Sequence, residues 1–455
     1  MINFLEESKI YVSLVAVALI ISITGCDSGQ KMAAHLTPIL PPSDAVDPNL
    51  VRANTRFGFK LLNELRETDT LAYKNKNTLI SPFSVSIALA MARNGAAGET
   101  ERAMRNALQL QALDPQLLNV NYVFLQKALQ APDSKVTLKI ANSLWGAEGI
   151  EFDPGFLNRN RQFLDTEIST LDFTDPNNVS TINESVAANT NGGIPNMIPA
   201  IDPATVLCLI SGIYFKGSWQ EEFDVLQTRE EPFNHADGSI TPVSMMRRTD
   251  WYPYYADADF QAVSLPFGDG QMGMYIFLPS RNTNLKTFLA GLSVESWEQW
   301  MTSFFREEVS LVMPKFKLEY AAELRNALSL LGMGIAFDRV RADLSRTRVS
   351  PQRLYLSYVS HTAIVEVNEE GTEAATGTFV FADAIAFAEE AAESIPPIPF
   401  IVDRPFFFAI RDNQTGTVLF MGVVVDPLWQ QLPPPEPNPP RIFPLPPAPI
   451  PAPLD

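Results

Sequence analysis

The run with the most unusual chemistry lies between residues 365 and 381 and reads VEVNEEGTEAATGTFVF. It contains no proline, and its small side chains would let the backbone pair as a strand within an already formed sheet. Alternation with a period of two divides the run into one face with Thr372, Ala374, Thr376 and Thr378, and another with Glu373, Ala375 and Gly377. The run alone is compatible with a late-forming strand or with a flexible surface loop.

Side chains that perform catalysis or bind metals are scarce. The three histidines, His35, His235 and His361, are far apart and occur in neither an HExxH nor a paired-cysteine motif. The chain also lacks the GxSxG elbow of hydrolases and the glycine-rich loops that bind phosphates. We therefore expect no enzymatic activity, no metal site and no cofactor.

Composition restricts the partners further. The formal net charge is −18, whereas binding of nucleic acid or heparin relies on clustered lysine and arginine. We expect neither partner. With 46% hydrophobic residues among 455, the chain can bury a large core.

Helical patterns come first and strand patterns dominate later, which predicts one α+β domain over residues 51–427. A first helix is indicated by Phe57, Leu61, Leu62 and Leu65, and a second should begin at Ser81-Pro82 and end near Gly95. A third should begin near Thr100. Predicted strands cover residues 136–144, 205–215, 273–278, 309–317 and 357–367, followed by a hairpin at 405–425.

Seven segments in order resemble the signature blocks of the serpin family. They are NTLISPFSVSIALAMARNGAAGET, ANSLWG, ISGIYFKGSWQEEF, VSLPFGDGQMGMYIFLP, VMPKFKLEY, VEVNEEGTEAATGT and DRPFFFAIRDNQTGTVLFMGVVVDP. This resemblance implies the serpin fold, with helices packed on three β-sheets, a central mixed sheet and an exposed reactive-centre loop at about residues 369–400.

The resemblance also implies a mechanism. A target protease is acylated at the bait residue of the loop, the loop inserts into the central sheet as an extra strand, and the enzyme is trapped. The hinge that inserts first would comprise Glu369, Glu370, Gly371 and the alternating run from Thr372 to Thr378. The alternative is a non-inhibitory serpin-fold protein that acts in surface binding or scaffolding.

Family spacing from Glu369 places the bait at Ile385 and the scissile bond at Ile385-Ala386, with Phe387 as an alternative site. Apolar bait residues favour an elastase-, chymotrypsin- or subtilisin-like serine protease over a trypsin-like one. A papain-like cysteine protease is the other candidate target.

Polar residues matching the family's cluster beneath the central strands are Ser81, Ser84, Asn183 and His361. Ser211 stands where the family commonly has asparagine, so its link to His361 is expected to be altered or bridged by water. Trp219 matches the tryptophan packed where the loop first enters. The alternative for these residues is a purely structural role in the core.

Residues 1–25 end at a sequence that resembles a bacterial lipobox, which makes Cys26 the candidate lipidated residue. Residues 26–50 read as a spacer and 428–455 as a proline-rich disordered tail. We expect a monomeric, extracytoplasmic protein held by its lipid at the cell surface or in the periplasm, or released outside the cell. Cys208 should be a free, buried thiol.

Overall fold

The computed structural model describes residues 46–68, 76–129, 133–349, 353–372 and 396–428. The α-helices within these ranges are α1 (Pro48–Thr68), α2 (Pro82–Arg93), α3 (Gly98–Ala107), α4 (Leu118–Leu129), α5 (Pro154–Leu164), α6 (Val179–Asn189), α7 (Leu285–Ala290), α8 (Val294–Met301) and α9 (Arg325–Leu328). Within the same ranges, no helix combines the length and apolar character needed to cross a membrane.

The strands of the described residues are β1 (Thr78–Ile80), β2 (Val136–Ala147), β3 (Glu167–Leu171), β4 (Leu207–Ser218), β5 (Arg229–Asn234), β6 (Ile240–Ala256), β7 (Phe260–Phe267), β8 (Met272–Pro279), β9 (Phe305–Pro314), β10 (Phe316–Glu323), β11 (Tyr358–Val367), β12 (Gly371–Thr372), β13 (Ile398–Ile401), β14 (Phe406–Asp412) and β15 (Val418–Val424).

The central sheet is mixed and has the order β10-β11-β4-β2-β3, with the short β12 paired to the end of β4. β11 is parallel to β4, and β2 is parallel to β3, whereas the β10–β11 and β2–β4 pairs are antiparallel. Because β11 and β4 run in the same direction, a strand antiparallel to both could fit between them without changing the direction of either.

The other strands form one larger sheet with the order β1-β15-β14-β8-β7-β6-β9-β13, and β5 pairs with β6. The described residues therefore form two hydrogen-bonded sheets rather than three. The reason is the long strand β6, which pairs with β9 along most of its length and with β7 at its end. The α+β class and the mixed central sheet are as predicted, and residues 373–395 of the expected loop lie outside the described residues.

Helix α2 lies at the centre of the core, and all of its residues are buried. It begins as predicted, because Ser81 accepts a hydrogen bond from the backbone N–H of Ser84 at 3.1 Å and Pro82 occupies the first turn. The helix ends at Arg93, slightly before Gly95. Its first residues contact the central sheet beneath β4.

The predicted strand over residues 309–317 is wrong in one respect. The strand is interrupted at Lys315, so β9 belongs to the larger sheet and β10 to the central sheet. The backbone N–H of Lys315 bonds to the carbonyl of Ser244 at the break. This change of sheet brings the Lys315 side chain to the end of β11.

Candidate functional site

The candidate site begins at the boundary between β11 and β4, which we call the seam. Seven residue pairs align across it, from Tyr358 opposite Cys208 to Ile364 opposite Tyr214. The two strands pair directly with each other along this length. Cys208 lies in the seam as a free, buried thiol, as predicted, and burial raises the pKa of that thiol.

At the C-terminal end of β4, β12 already occupies the position of a strand that would lie between β11 and β4. Gly371 pairs with Ser218 and Thr372 with Gly217, both antiparallel to β4. Gly371 has φ = +144°, and a Cβ there would collide with the carbonyl oxygen of Gly217. A residue with a side chain would not fit this approach.

A tight turn brings the chain from β11 into β12. The Asn368 side-chain oxygen accepts hydrogen bonds from the backbone N–H groups of Glu370 and Gly371, each at 3.1 Å. The Asn368 backbone N–H donates to the carbonyl of Gly371 at 2.8 Å. The turn reverses the direction of the chain, which is why β12 runs antiparallel to β4.

The Glu369 side chain connects this turn to Lys315 and Thr228, which lie outside it. Its side chain is 7% exposed and forms an ion pair with the Lys315 ammonium at 2.8 Å, and it accepts a hydrogen bond from the Thr228 hydroxyl at 2.7 Å. Burial alone would raise the pKa of Glu369, but the hydrogen bonds from Lys315 and Thr228 hold it below its ordinary value. The carboxylate therefore stays charged while almost fully buried.

Trp219 lies directly under the same turn. Its indole N–H donates to the Asn368 carbonyl at 2.9 Å, and its backbone N–H donates to the Glu370 carbonyl at 2.9 Å. The ring stacks on Phe267 with centroids 4.5 Å apart. Trp219 thus contacts this turn through its side chain, at Asn368, and through its backbone, at Glu370.

A buried polar cluster crosses the middle of the seam, where Ser211 lies opposite His361. The backbone N–H of Ser81 donates to His361 Nε2 at 3.0 Å, so the neutral ring carries its proton on Nδ1. Nδ1 lies 3.1 Å from the Ser211 carbonyl and 3.2 Å from the Ser211 hydroxyl. Burial lowers the pKa of His361 to about 4, which keeps the ring uncharged at neutral pH.

Ser84 connects this cluster to the neighbouring strand. Its hydroxyl lies 3.0 Å from the Ser211 hydroxyl and donates to the Asn142 side-chain oxygen at 3.1 Å. The Asn142 amide in turn donates to the Ser84 carbonyl at 3.1 Å. The cluster therefore joins the start of α2 to β2, β4 and β11, and a strand entering the seam must separate Ser211 from His361.

The predicted residues are only partly brought together. Ser81, Ser84, Ser211 and His361 meet directly, and the Ser211 link to His361 needs no water. Asn183 lies apart on α6, because its side chain is occupied by the backbone of residues 197 and 198. Its assignment to the cluster is therefore incorrect.

The sequence does not predict Asn142, Lys315, Thr228 and Asn368 as residues of this site. Asn142, Lys315 and Asn368 belong to three of the segments that carry the family resemblance, so those segments contained a signal for them, whereas Thr228 lies outside all seven. The described residues contain no group of three or more His, Cys, Asp or Glu side chains suited to a metal ion. The remaining predicted residues lie outside the described residues, namely Cys26, Glu373, Ala374, Ala375, Thr376, Gly377, Thr378, Ile385, Ala386 and Phe387.

Comparison with known proteins agrees with this geometry. The sequence model of the family described as serpin (serine protease inhibitor) matches residues 52–427. A leukocyte elastase inhibitor from Bos taurus is 35% identical over 390 residues, which cover 83% of this chain and 99% of that protein. An uncharacterised serpin-like protein from Thermococcus kodakarensis is 34% identical over 381 residues, covering 83% of this chain and 86% of that protein.

Solved structures agree as well. The thermophilic serpin tengpin in its native state has a TM-score of 0.75 at 28% identity, with 84% of this chain and 95% of tengpin covered. Thyroxine-binding globulin in complex with thyroxine has a TM-score of 0.74 at 25% identity, with 83% and 99% covered. The chain belongs to the serpin family.

Proposed function

We propose that this protein is an irreversible suicide-substrate inhibitor of serine proteases. The protease serine attacks the carbonyl of the bait residue and forms an acyl-enzyme, and the freed hinge then inserts into the seam before water hydrolyses the ester. The observation that carries this proposal is the direct parallel pairing of β11 with β4, with β12 already paired antiparallel at its upper end.

The register of β12 predicts where each hinge residue goes after insertion. Continuing from Thr372 opposite Gly217, residue 374 lies opposite Phe215, residue 376 opposite Ile213 and residue 378 opposite Ser211. Directly opposed residues share a face, and Leu209, Ile213 and Phe215 belong to the main core. The inserted hinge would therefore present Thr372, Ala374, Thr376 and Thr378 to the core.

The opposite face also suits insertion. Position 373 lies opposite Lys216 in the same register, so the only charged residue of the inserting run would pair with a lysine across the strands. Position 377 lies opposite Gly212. Residue 378 would lie between Ser211 and His361, so insertion of the hinge must break the contacts between these two residues.

Insertion gains free energy because one parallel pairing is replaced by two antiparallel ones, and each new main-chain hydrogen bond contributes about 1 kcal/mol. The segment is tethered at both ends while intact, since β12 pairs with the central sheet and β13 pairs with β9 in the larger sheet. Cleavage releases one tether. This explains why the gain would become available only after the protease has reacted.

The proposed scissile bond is Ile385-Ala386, with Phe387 as the alternative bait. Both side chains suit the apolar or small specificity pockets of elastase-, chymotrypsin- and subtilisin-like enzymes. The leukocyte elastase inhibitor of Bos taurus supports this target class, because its name assigns an elastase as target and it is 35% identical to this chain.

We also propose that Cys26 is lipidated and holds the inhibitor at a membrane surface outside the cytoplasm. This rests on the sequence ITGC that precedes the spacer. The inhibitor would then act on proteases that reach the cell surface or the periplasm.

The test is to incubate the full chain with pancreatic elastase, chymotrypsin and subtilisin. We expect a covalent complex that survives denaturing electrophoresis, together with a released fragment whose N-terminus is Ala386. Cleavage of the loop with full retention of enzyme activity for all three proteases would refute the proposal. A thermal unfolding midpoint unchanged by nicking would instead favour the non-inhibitory binding protein, because no strand would have been added.

A further inference from the structure

A second concave site lies away from the seam, at the opposite end of α2. Its volume is about 740 Å³, within the range of small-molecule pockets. It is bounded by the end of α2, by α3, by the start of α4, by α5 and by residues 345–348. We call it the arginine pocket.

The charge of this pocket is opposite to that of the protein. Five arginines line it, namely Arg93, Arg105, Arg159, Arg346 and Arg348. Only two carboxylates join them, Glu101 and Asp153, which leaves a local excess of three positive charges. The whole chain has 34 basic and 52 acidic side chains, so this concentration of cations contrasts with the composition of the chain.

Both carboxylates are already committed. Glu101 lies 3.5 Å from Arg93 and 3.9 Å from Arg105, so one charge is shared between two guanidinium groups. Asp153 caps α5 by accepting a hydrogen bond from the backbone N–H of Phe156 at 2.8 Å. The positive charge of the pocket is therefore incompletely neutralised.

Arg93 is almost fully buried and its hydrogen bonds are weak, whereas Arg105 donates to the carbonyls of Leu110 and Leu113 at 3.3 and 3.1 Å. The Arg93 side chain is only 6% exposed, and its bonds to the Asn94 and Asn119 oxygens are long, at 3.4 and 3.2 Å. The Nε atoms of Arg93 and Arg105 are buried without a hydrogen-bond partner. Burial lowers the pKa of Arg93. Desolvating a cation without an equivalent counter-charge is costly, and an anion in the pocket would reduce this cost.

We propose that the arginine pocket binds a soluble small molecule that carries two or more phosphate groups. The planar fork of arginine matches phosphate oxygens with paired hydrogen bonds. An excess of three charges and a pocket of this volume suit more than one phosphate group. A long polyanion such as nucleic acid is disfavoured, because the surrounding surface of a chain with net charge −18 would repel it.

Inorganic triphosphate is the probe for testing this proposal. Isothermal titration of the full chain at about 0.15 M salt, where weak surface attraction is screened, should show saturable binding. Sulfate at the same ionic strength is the control for general anion effects. ATP and inositol hexakisphosphate, titrated in the same way, indicate whether a nucleotide or a phosphorylated ring is the better source of the phosphates.

Two variants locate the binding. Arg346 is exposed, so Arg346→Glu should fold normally and weaken triphosphate binding at least about tenfold, or about 1.4 kcal/mol. The double variant with Arg159→Gln should weaken it further. The matched control is Arg306→Glu, the same charge reversal at an exposed position of β9, and it should leave the affinity unchanged.

The proposal is overturned if none of the three phosphate compounds binds saturably. It is equally overturned if Arg346→Glu binds triphosphate as tightly as Arg306→Glu does, because attraction would then come from the general surface. Protease inhibition by these variants is measured separately, and a failure of either proposal leaves the other intact.

Discussion

Substitution of Ala374 by arginine tests the register on which the proposed insertion depends. In the inserted strand, position 374 lies opposite Phe215 and beside Val365 at the level of the seam, and these side chains are 2% and 0% exposed. The arginine would therefore be carried into the core. Ala375→Arg is the matched control, because the same substitution one residue later faces Tyr214 and Ile364, which are only half-buried.

The magnitude follows from the burial of an unpaired charge. A cation left without a partner in a core costs about 3–5 kcal/mol. If the unpaired charge raises the free energy of the transition state for insertion by half of this cost, insertion slows at least about tenfold, because each 1.36 kcal/mol is a factor of ten in rate. Hydrolysis of the acyl-enzyme would then overtake insertion, and the variant would behave as a substrate.

The assay is the number of inhibitor molecules consumed per enzyme molecule inactivated, measured with elastase. We expect a value near one for the parent and for Ala375→Arg and a clearly higher value for Ala374→Arg, because the excess over one is the ratio of the hydrolysis rate to the insertion rate and rises at least about tenfold. Equal values for the two arginine variants would refute the register, since the two faces would then be equivalent. Retention of tight inhibition by both would refute insertion at this depth altogether.

Three further predictions concern the turn and the cluster. Glu369→Gln should lower the free energy of unfolding by about 1.5–3 kcal/mol in urea titrations, because it removes the charge that pairs with Lys315. Trp219→Phe should cost about 1 kcal/mol in the same assay by removing the hydrogen bond to the Asn368 carbonyl. Between pH 6.5 and about 4, the unfolded chain binds the His361 proton and the folded state excludes it. Stability should therefore fall by about 3 kcal/mol as pH drops through this window, and His361→Gln should remove that part of the slope.

Each of these has its own control. Lys315→Met should destabilise about as much as Glu369→Gln, and the double variant should cost less than the sum, because the two side chains interact. A Trp219→Phe protein as stable as the parent would show that the indole N–H contributes nothing. An unchanged pH slope in His361→Gln would show that other groups, including the carboxylates, account for acid destabilisation.

Several features of the site could be predicted because they depend on local order in the chain. The Ser81-Pro82 start of α2 is visible in two adjacent residues, since capping and fixed φ act within one turn. The alternation of the hinge is likewise a property of consecutive residues. The family resemblance added the fold, because its blocks occur in order over most of residues 52–427.

Other features depend on contacts between distant parts of the chain. The change of sheet at Lys315 could not be read from the apolar run over 309–317, because both halves have the pattern of a strand. Asn142 enters the polar cluster only through the register of β2 on β4. Asn183 fails to join it because the nearby backbone of 197 and 198 occupies its amide.

By itself, the sequence determined the family, the alternation of the hinge and the capped start of α2, since short-range sterics and side-chain periodicity are encoded in neighbouring residues. Only the tertiary structure decided that β11 pairs directly with β4, that Lys315 reaches Glu369 and that five arginines share one pocket. Such contacts depend on strand register and chain path, which the packing of the whole core selects.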